Sequence, residues 1–175
     1  GRGERMRPLT DRVPKALLEA GGKPLVMRLI ERLHAGGVRE LVINHAHLGA
    51  AIESALGDGS RHGVSIRYSP ETVALETAGG IANALPLLGD GPFIAVNADV
   101  FCDMDFASLA DRTLGDALAH LVLVNNPNHH PGGDFTLSGT RVGNGAADRL
   151  TFAGIGLYSP ALFAAVRRGE KAQLA

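Results

Sequence analysis

The sequence predicts an α/β fold of the three-layer, Rossmann-like type, with a mostly parallel sheet between two layers of helices. Residues 41–44 and 93–97 are short, almost continuously apolar runs, as expected for strands that are buried on both faces. Longer segments with apolar residues at helical spacing alternate with these runs. Such alternation is typical of right-handed βαβ units, whose ligands bind at the carboxyl ends of the strands.

The first predicted helix begins after Pro24 and ends at Gly36. Its apolar residues recur at three- and four-residue spacing, and proline and glycine suit the first turn and the end of a helix, respectively. The following elements are predicted from the same two patterns. They are helices at 48–56, 80–88 and 106–118, and strands at 41–44, 64–68, 93–97 and 120–124.

The pattern changes after residue 125. Residues 126–133 are rich in Asn, Pro, His and Gly, which favours turns, and short strand-like pieces follow at 134–137, 141–142 and 149–158. The alanine-rich end of the chain, residues 162–175, has a helix-like composition. We therefore expect a smaller antiparallel portion after the parallel sheet.

Composition limits the function. A chain of 175 residues suits one domain, and its 45% hydrophobic and 20% charged residues are typical of globular proteins. A net charge of −1 does not favour nucleic acid or a membrane surface as a partner. The single cysteine, Cys102, excludes an intrachain disulfide and suits a reducing compartment, so we expect a cytoplasmic protein. The sequence does not reveal the oligomeric state.

The first fifteen residues combine glycine with basic side chains. Gly1 and Gly3 allow the backbone to approach an anion closely, and Arg5 and Lys15 supply positive charge. This pattern predicts a loop that binds the phosphates of a nucleotide. The P-loop motif G-x-x-x-x-G-K-[ST] does not occur in the sequence, so the loop is of another type.

Three motifs in this order resemble the signature of the sugar-phosphate nucleotidyltransferases. They are Gly1-x-Gly3-x-Arg5-x-x-Pro8-Leu9-Thr10, Pro14-Lys15 and Gly22-Lys23-Pro24-Leu25. The resemblance implies an enzyme that joins a nucleoside triphosphate to a sugar 1-phosphate. It also implies one domain over residues 1–175, with a nucleotide-binding portion at 1–125 and a sugar-side portion at 126–175.

Asp99 is the candidate ligand for Mg²⁺. It follows the predicted strand at 93–97, and a carboxylate at the carboxyl end of a parallel strand faces the ligand crevice. By resemblance, Asp99 matches the strand-end aspartate that holds the metal in this family. We expect the nearby Asp105 to cap the next helix, while the role of Asp103 is left open.

The resemblance also assigns the other site residues. Arg5 and Lys15 are expected to act in catalysis on the phosphates. The remaining candidates are Gly1, Gly3, Glu4, Thr77 and Gly80 for the nucleotide, and Lys23, Asn97, Gly133 and Asp134 for the sugar phosphate. Thr77 and Gly80 belong to an L-x-T-A-G-G segment, whose small residues allow a base or sugar to lie against the backbone.

The N-P-x-H-x-P-G-G-D-F stretch at 126–135 resembles a subgroup of this family, the N-acetylmuramate-1-phosphate uridylyltransferases of bacterial cell-wall recycling. UTP is therefore the expected nucleotide. A mannose-1-phosphate guanylyltransferase is an alternative, because the opening loop does not encode the base. A regulatory domain that binds nucleotide sugars without turnover is an alternative of another class.

The resembled family has a short apolar strand and an alanine pair immediately before the residue that matches Gly1. It also has tens of residues after the part matched here, including a second metal-binding aspartate. We therefore expect that an N-terminal strand and a C-terminal segment are missing from this sequence.

Overall fold

A computed structural model describes residues 3–174 of the chain. The predictions made for Gly1 lie outside the described residues. After three short 3-10 turns and a hairpin, helices and strands alternate as the sequence predicts. The α-helices are α1 (Leu25–Ala35), α2 (Gly49–Leu56), α3 (Glu76–Leu88) and α4 (Phe106–Ala110). The strands are β1 (Glu19–Ala20), β2 (Lys23–Pro24), β3 (Glu40–His45), β4 (Ser65–Pro70), β5 (Phe93–Val96), β6 (Ala119–Val124), β7 (Phe135–Ser138), β8 (Arg141–Gly143) and β9 (Arg149–Tyr158).

The α/β class is confirmed, and parallel pairing among the described strands is limited to β3 and β4. The long strand β9 lies between β5 and β6 and runs antiparallel to both. Because β5 and β6 are both antiparallel to β9, they run in the same direction, and β9 separates them. The first residues of β9 pair with β7, which in turn pairs with β8. One strand thus belongs to both the central sheet and the smaller antiparallel portion.

Helix α1 packs on both halves of the core. Val26 and Ile30 belong to a cluster formed with α2 and β4, whereas Leu29 and Leu33 belong to a second cluster that contains Phe106 and Ile155. All of these side chains are buried. The apolar face of α1 is therefore wide enough to pack against two neighbouring clusters. Helix α1 therefore fixes β3 and β5 relative to each other.

The helix predicted at 106–118 is shorter in the structure. Helix α4 starts as expected, with the Asp105 carboxylate accepting the Ala107 N–H at 3.0 Å, but it ends at Ala110 instead of residue 118. Gly115 has a φ of 55°, a left-handed conformation that would interrupt a helix continuing to residue 118.

The helix-like composition of 162–175 does not produce an α-helix within residues 162–174. A short 3-10 turn at Pro160–Phe163 is followed by turns and irregular chain, with Gly169 at a φ of 81°. Across residues 3–174, each helix is too short or too polar to cross a membrane.

Candidate active site

The carboxyl ends of β3, β4 and β5 open into a cleft of about 720 Å³ that separates the β3–β4 pair from the larger sheet. Its walls include the facing edges of β3 and β5 and the start of α3. Its lining includes Asn44, Glu71, Thr77, Gly80 and Asn97 near the strand ends and the beginning of α3, together with Glu40 at the start of β3 and Arg67 within β4. At the other end of β5, Tyr158 also lines the cleft, and burial raises the pKa of its hydroxyl to about 12.

The opening loop folds against itself at Gly3. Gly3 has a φ of 63°, and its carbonyl oxygen accepts a 2.9 Å hydrogen bond from the Thr10 hydroxyl. A Cβ atom built on Gly3 would lie 2.9 Å from Thr10 Cγ2 and 3.3 Å from Lys15 Cβ. Glycine is therefore required both by the backbone conformation and by the close packing of the loop onto Lys15.

Lys15 joins this loop to the end of β5. Its Nζ atom donates to Oδ2 of Asp99, and the two side chains are 31% and 35% exposed. Gly3, Lys15 and Asp99 thus form one continuous surface at the carboxyl end of β5. A triphosphate on the glycine loop would lie beside the Asp99 carboxylate.

Asn97 lies directly after β5 in the same region. Its N–H donates to the Gly154 carbonyl at 3.0 Å, and Gly154 has a φ of 74°. A Cβ atom on Gly154 would lie 2.6 Å from Asn97 Nδ2, so the Asn97 side chain lies closely over this glycine.

The start of α3 is held by polar side chains from the ends of β3 and β4. Asn44 Nδ2 donates to the Gly80 carbonyl at 2.6 Å, and Glu71 Oε2 accepts the Leu75 N–H at 2.9 Å. A Cβ atom on Gly80 would lie 2.8 Å from Glu71 Oε1. Thr77 is exposed on the resulting turn, where a ligand in the cleft can reach it.

Comparison with known proteins assigns the chain to a family. A family model described as nucleotidyl transferase matches residues 1–133, which include the opening loop, Thr77 and Asp99. The chain belongs to the nucleotidyl transferase family.

Two curated relatives indicate the class of enzyme. The chain is 53% identical to N-acetylmuramate α-1-phosphate uridylyltransferase of Neisseria meningitidis, over 100% of this chain and 79% of the relative. It is 35% identical to mannose-1-phosphate guanylyltransferase of Mycobacterium tuberculosis, over 73% of this chain and 36% of that longer protein. This member of the nucleotidyl transferase family is accordingly a sugar-1-phosphate nucleotidyltransferase.

Solved structures support the fold. A protein from Bacillus anthracis, provisionally identified as a glucose-1-phosphate thymidylyltransferase and crystallised with sucrose, superposes with a TM-score of 0.82 at 20% identity, covering 93% of this chain and 70% of that one. A UDP-glucose pyrophosphorylase in complex with UDP-glucose superposes with a TM-score of 0.73 at 18% identity, covering 93% and 74%. At these identities the likeness establishes the nucleotidyltransferase fold alone.

The sugar-side candidates lie close to Asn97. Asp134 Oδ2 accepts the Phe152 N–H at 2.8 Å, and Asn97 bonds to Gly154 two residues further along β9. The same stretch of β9 thus holds both Asn97 and Asp134. Its Oδ1 atom lies 3.1 Å from His130 Nε2. Both carboxylate oxygens of Asp134 therefore already have protein partners, and its predicted contact with a sugar hydroxyl remains a prediction.

The other predicted residues have different surroundings. Gly133 is buried at a φ of 60°, and a Cβ atom on it would lie 2.8 Å from the Arg149 carbonyl oxygen. Lys23 Nζ is paired with the Glu31 carboxylate, at 2.7 and 2.9 Å. Glu4 and Arg5 are exposed on the first 3-10 turn. The structure thus brings Lys15 and Asp99 into contact, and it bonds Asn97 and Asp134 to Gly154 and Phe152 of β9, while Lys23 is engaged by α1.

Sequence reasoning missed Asn44 and Glu71. Each is a polar residue at or just after the carboxyl end of a parallel strand, which is the signal that identified Asp99. The same rule applied to β3 and β4 would have found both.

The donor chemistry of the site suits Mg²⁺. This ion binds oxygen ligands and is commonly held by one or two carboxylates together with substrate phosphates. Asp99 provides one partly exposed carboxylate beside the phosphate loop. Within residues 3–174, no cluster of three or more His, Cys, Asp and Glu side chains offers a metal site made by protein alone. The residues present therefore fit a metal that binds together with a nucleotide.

Proposed function

We propose that this enzyme transfers a uridylyl group from UTP to N-acetylmuramic acid 1-phosphate in a Mg²⁺-dependent reaction that releases pyrophosphate. The contact between Lys15 and Asp99 beside Gly3 carries the chemistry, because it brings a cation, a carboxylate and the glycine loop to one place. The 53% identity to the Neisseria relative supports the choice of base and sugar.

The reaction is an in-line displacement. An oxygen of the sugar 1-phosphate attacks the α-phosphorus of UTP, a new P–O bond forms, and the bond to the β-phosphate oxygen breaks. Such transfers depend on positioning and charge neutralisation rather than on a covalent nucleophile. Lys15 would contact the α-phosphate and the incoming phosphate, and Arg5 would stabilise the negative charge on the leaving pyrophosphate.

The opening loop would bind the triphosphate. Gly3 packs closely on Thr10 and Lys15, and Arg5 is exposed on the first 3-10 turn. Asp99 would hold Mg²⁺, which when bound offsets the charge of the phosphate oxygens. Lys15 and Asp99 form an ion pair, which a metal at Asp99 and a phosphate at Lys15 would replace.

The two remaining portions would select the substrates. Thr77 and Gly80 line the cleft at the start of α3, where the base and ribose would lie against small residues. Asn97 follows β5 and Asp134 bonds to β9, and together with Gly133 they would face the sugar phosphate. The attacking phosphate would then reach the α-phosphate between these two sides.

The proposal is tested by measuring pyrophosphate release with UTP or GTP against a panel of sugar 1-phosphates. The expected result is preferred turnover of UTP with N-acetylmuramic acid 1-phosphate. Preferred turnover of GTP with mannose 1-phosphate would favour the second candidate, which the 35% identity to the Mycobacterium relative supports. Nucleotide-sugar binding without release for any pair would instead favour a regulatory domain.

A further inference from the structure

The segment Glu170, Lys171 and Ala172 lies on the first turn of α3, far from it in sequence. The Ala172 N–H donates to the Leu75 carbonyl at 3.0 Å, and the Ala172 carbonyl accepts the Gly79 N–H at 3.1 Å. Residues 75 and 79 are four apart, which is the pair that an α-helix joins through its own backbone. The N–H and the carbonyl of Ala172 therefore bond to the two ends of the first turn of α3 and bracket it.

This contact explains one of the two adjacent glycines of α3. A Cβ atom on Gly79 would overlap the Glu170 carbonyl oxygen and lie 3.0 Å from the Ala172 nitrogen. Gly80 instead packs on Glu71 and Asn44. Gly79 is thus required by the segment at 170–172, whereas Gly80 is required by the ends of β3 and β4.

The bracketed turn has an unfavourable backbone. Glu76 has a φ of 63°, in the left-handed region that residues other than glycine rarely adopt. Such a conformation persists only where neighbouring contacts hold it. The hydrogen bonds of Ala172 on either side of Glu76 supply that restraint, and Lys171 Nζ adds a long, exposed ion pair with the Glu76 carboxylate at 3.9 Å.

The turn also faces the cleft. Thr77, directly after Glu76, lines the cleft together with Gly80, and Leu174 from the same terminal segment lines it too. Ala172 and Leu174 pack against the core cluster that contains Ala78. The segment is therefore anchored on apolar side chains while its backbone sets the shape of the turn that carries Thr77.

We propose that residues 170–174 are a positioning segment for the nucleotide: Ala172 holds the start of α3 in the shape that receives the base and ribose of the nucleoside triphosphate. This inference rests on the proposed function and adds a distant determinant of nucleotide affinity to it. The segment touches the nucleotide side of the cleft, so it acts on triphosphate binding and leaves the sugar-phosphate side unchanged.

The test compares Ala172→Pro with Ala172→Ser. Proline removes the N–H that bonds to Leu75, whereas serine keeps both backbone bonds. We expect Ala172→Pro to raise the KM for UTP about tenfold, the scale of one or two net hydrogen bonds, with the KM for the sugar 1-phosphate within about twofold of native. Ala172→Ser should stay within about twofold for both substrates, because it keeps both backbone bonds.

Gly79→Ala tests the same contact from the helix side. It should raise the KM for UTP similarly, and the Gly79→Ala, Ala172→Pro double variant should be less impaired than the product of the single effects, because both changes break one contact. An unchanged KM for UTP in folded single variants would overturn the inference. Equal rises for both substrates, or independent effects in the double variant, would also overturn it.

A measurement on the native protein covers the case in which the variants do not fold. Amide hydrogen exchange at Gly79 should be slow, and slower still when UTP is bound; fast exchange that UTP leaves unchanged would contradict the proposal. Failure of the proposed function looks different, because the native protein would then release no pyrophosphate. If GTP proves to be the substrate, the same variants are compared with GTP.

Discussion

Lys15 and Asp99 are 84 positions apart in the chain, yet the ammonium group of one donates to the carboxylate of the other at the carboxyl end of β5. This contact closes the opening loop onto the central sheet. It joins the two features that the sequence predicts to bind phosphate and metal, and it places them on one surface. Under the proposed function, this contact would link the position of the triphosphate to that of the divalent cation.

Replacement of Lys15 should affect turnover more than folding. We expect Lys15→Ala to lower kcat/KM by about a hundredfold or more, the scale of losing one charge that stabilises the transition state. The side chain is partly exposed, so the melting temperature should change little. Steady-state pyrophosphate release and a thermal scan measure both effects, and near-normal turnover would remove Lys15 from the phosphate site.

Arg5 and Arg7 form a matched pair in the same exposed loop. The Arg7 Nε atom bonds to Asp11 Oδ1 at 2.7 Å, and this pair raises the pKa of Arg7, first through the hydrogen bond and then through charge. Arg5 is the residue predicted to contact the leaving phosphates. Arg5→Ala should reduce turnover about a hundredfold, whereas Arg7→Ala should remain within a few-fold of native. Equal losses in the two variants would indicate that loop structure, rather than charge at Arg5, controls the rate.

Asp99→Asn should raise the Mg²⁺ concentration that the enzyme requires for activity. The amide keeps the size of the side chain but loses the charge that a hard cation prefers, so more Mg²⁺ should be needed for half-maximal activity. Asp103→Asn is the control, because Asp103 is exposed four residues further along the chain. A Mg²⁺ titration of initial rates compares them. An Asp99→Asn curve that superposes on the native curve would exclude Asp99 as a metal ligand.

Asp105 has a different role from Asp99, although both belong to the same acidic stretch. Its carboxylate caps α4 through the Ala107 N–H, so Asp105→Ala should reduce the free energy of unfolding by about 1 kcal/mol. Urea unfolding measures this loss, with Asp103→Ala as control. The Mg²⁺ titration of Asp105→Ala should match that of the native enzyme, and a shifted titration would place Asp105 in the metal site instead.

The sequence predicts the strands and the first three helices well, because apolar spacing and strand runs are local signals. It does not predict how strands pair. The insertion of β9 between β5 and β6 depends on a contact between residues more than fifty positions apart, such as Phe93 with Tyr158. The helix predicted at 106–118 cannot reach residue 118 because Gly115 takes a left-handed conformation, which composition alone does not reveal.

In the candidate site, too, residues with a local sequence signal could be predicted, whereas contacts between distant segments could not. Lys15 and Asp99 could be named as candidates because each belongs to a recognisable motif or strand end, and the structure brings the two side chains into contact. The bracket that Ala172 forms around the first turn of α3 could not, because alanine carries no chemical signal and only its backbone groups act. Asp134 shows a third case, since its carboxylate is found bonded to Phe152 and His130, which the motif does not indicate.

His120 should make the stability of the enzyme depend on pH. Burial, and then the charge of Arg112, lower the pKa of His120 in the folded protein, so the folded state binds a proton less readily than the unfolded chain. This contribution to stability is fully present above the ordinary histidine pKa of about 6.5 and is lost as pH falls toward the lowered value. His120→Gln lacks it, so the variant should gain stability relative to the native enzyme as pH falls from about 7.5 to about 5.5. Urea unfolding at the two pH values measures the difference, and Val122→Ala on the same strand should shift stability equally at both. A His120→Gln difference that stays constant or moves the other way would show that His120 is not the group whose protonation opposes folding.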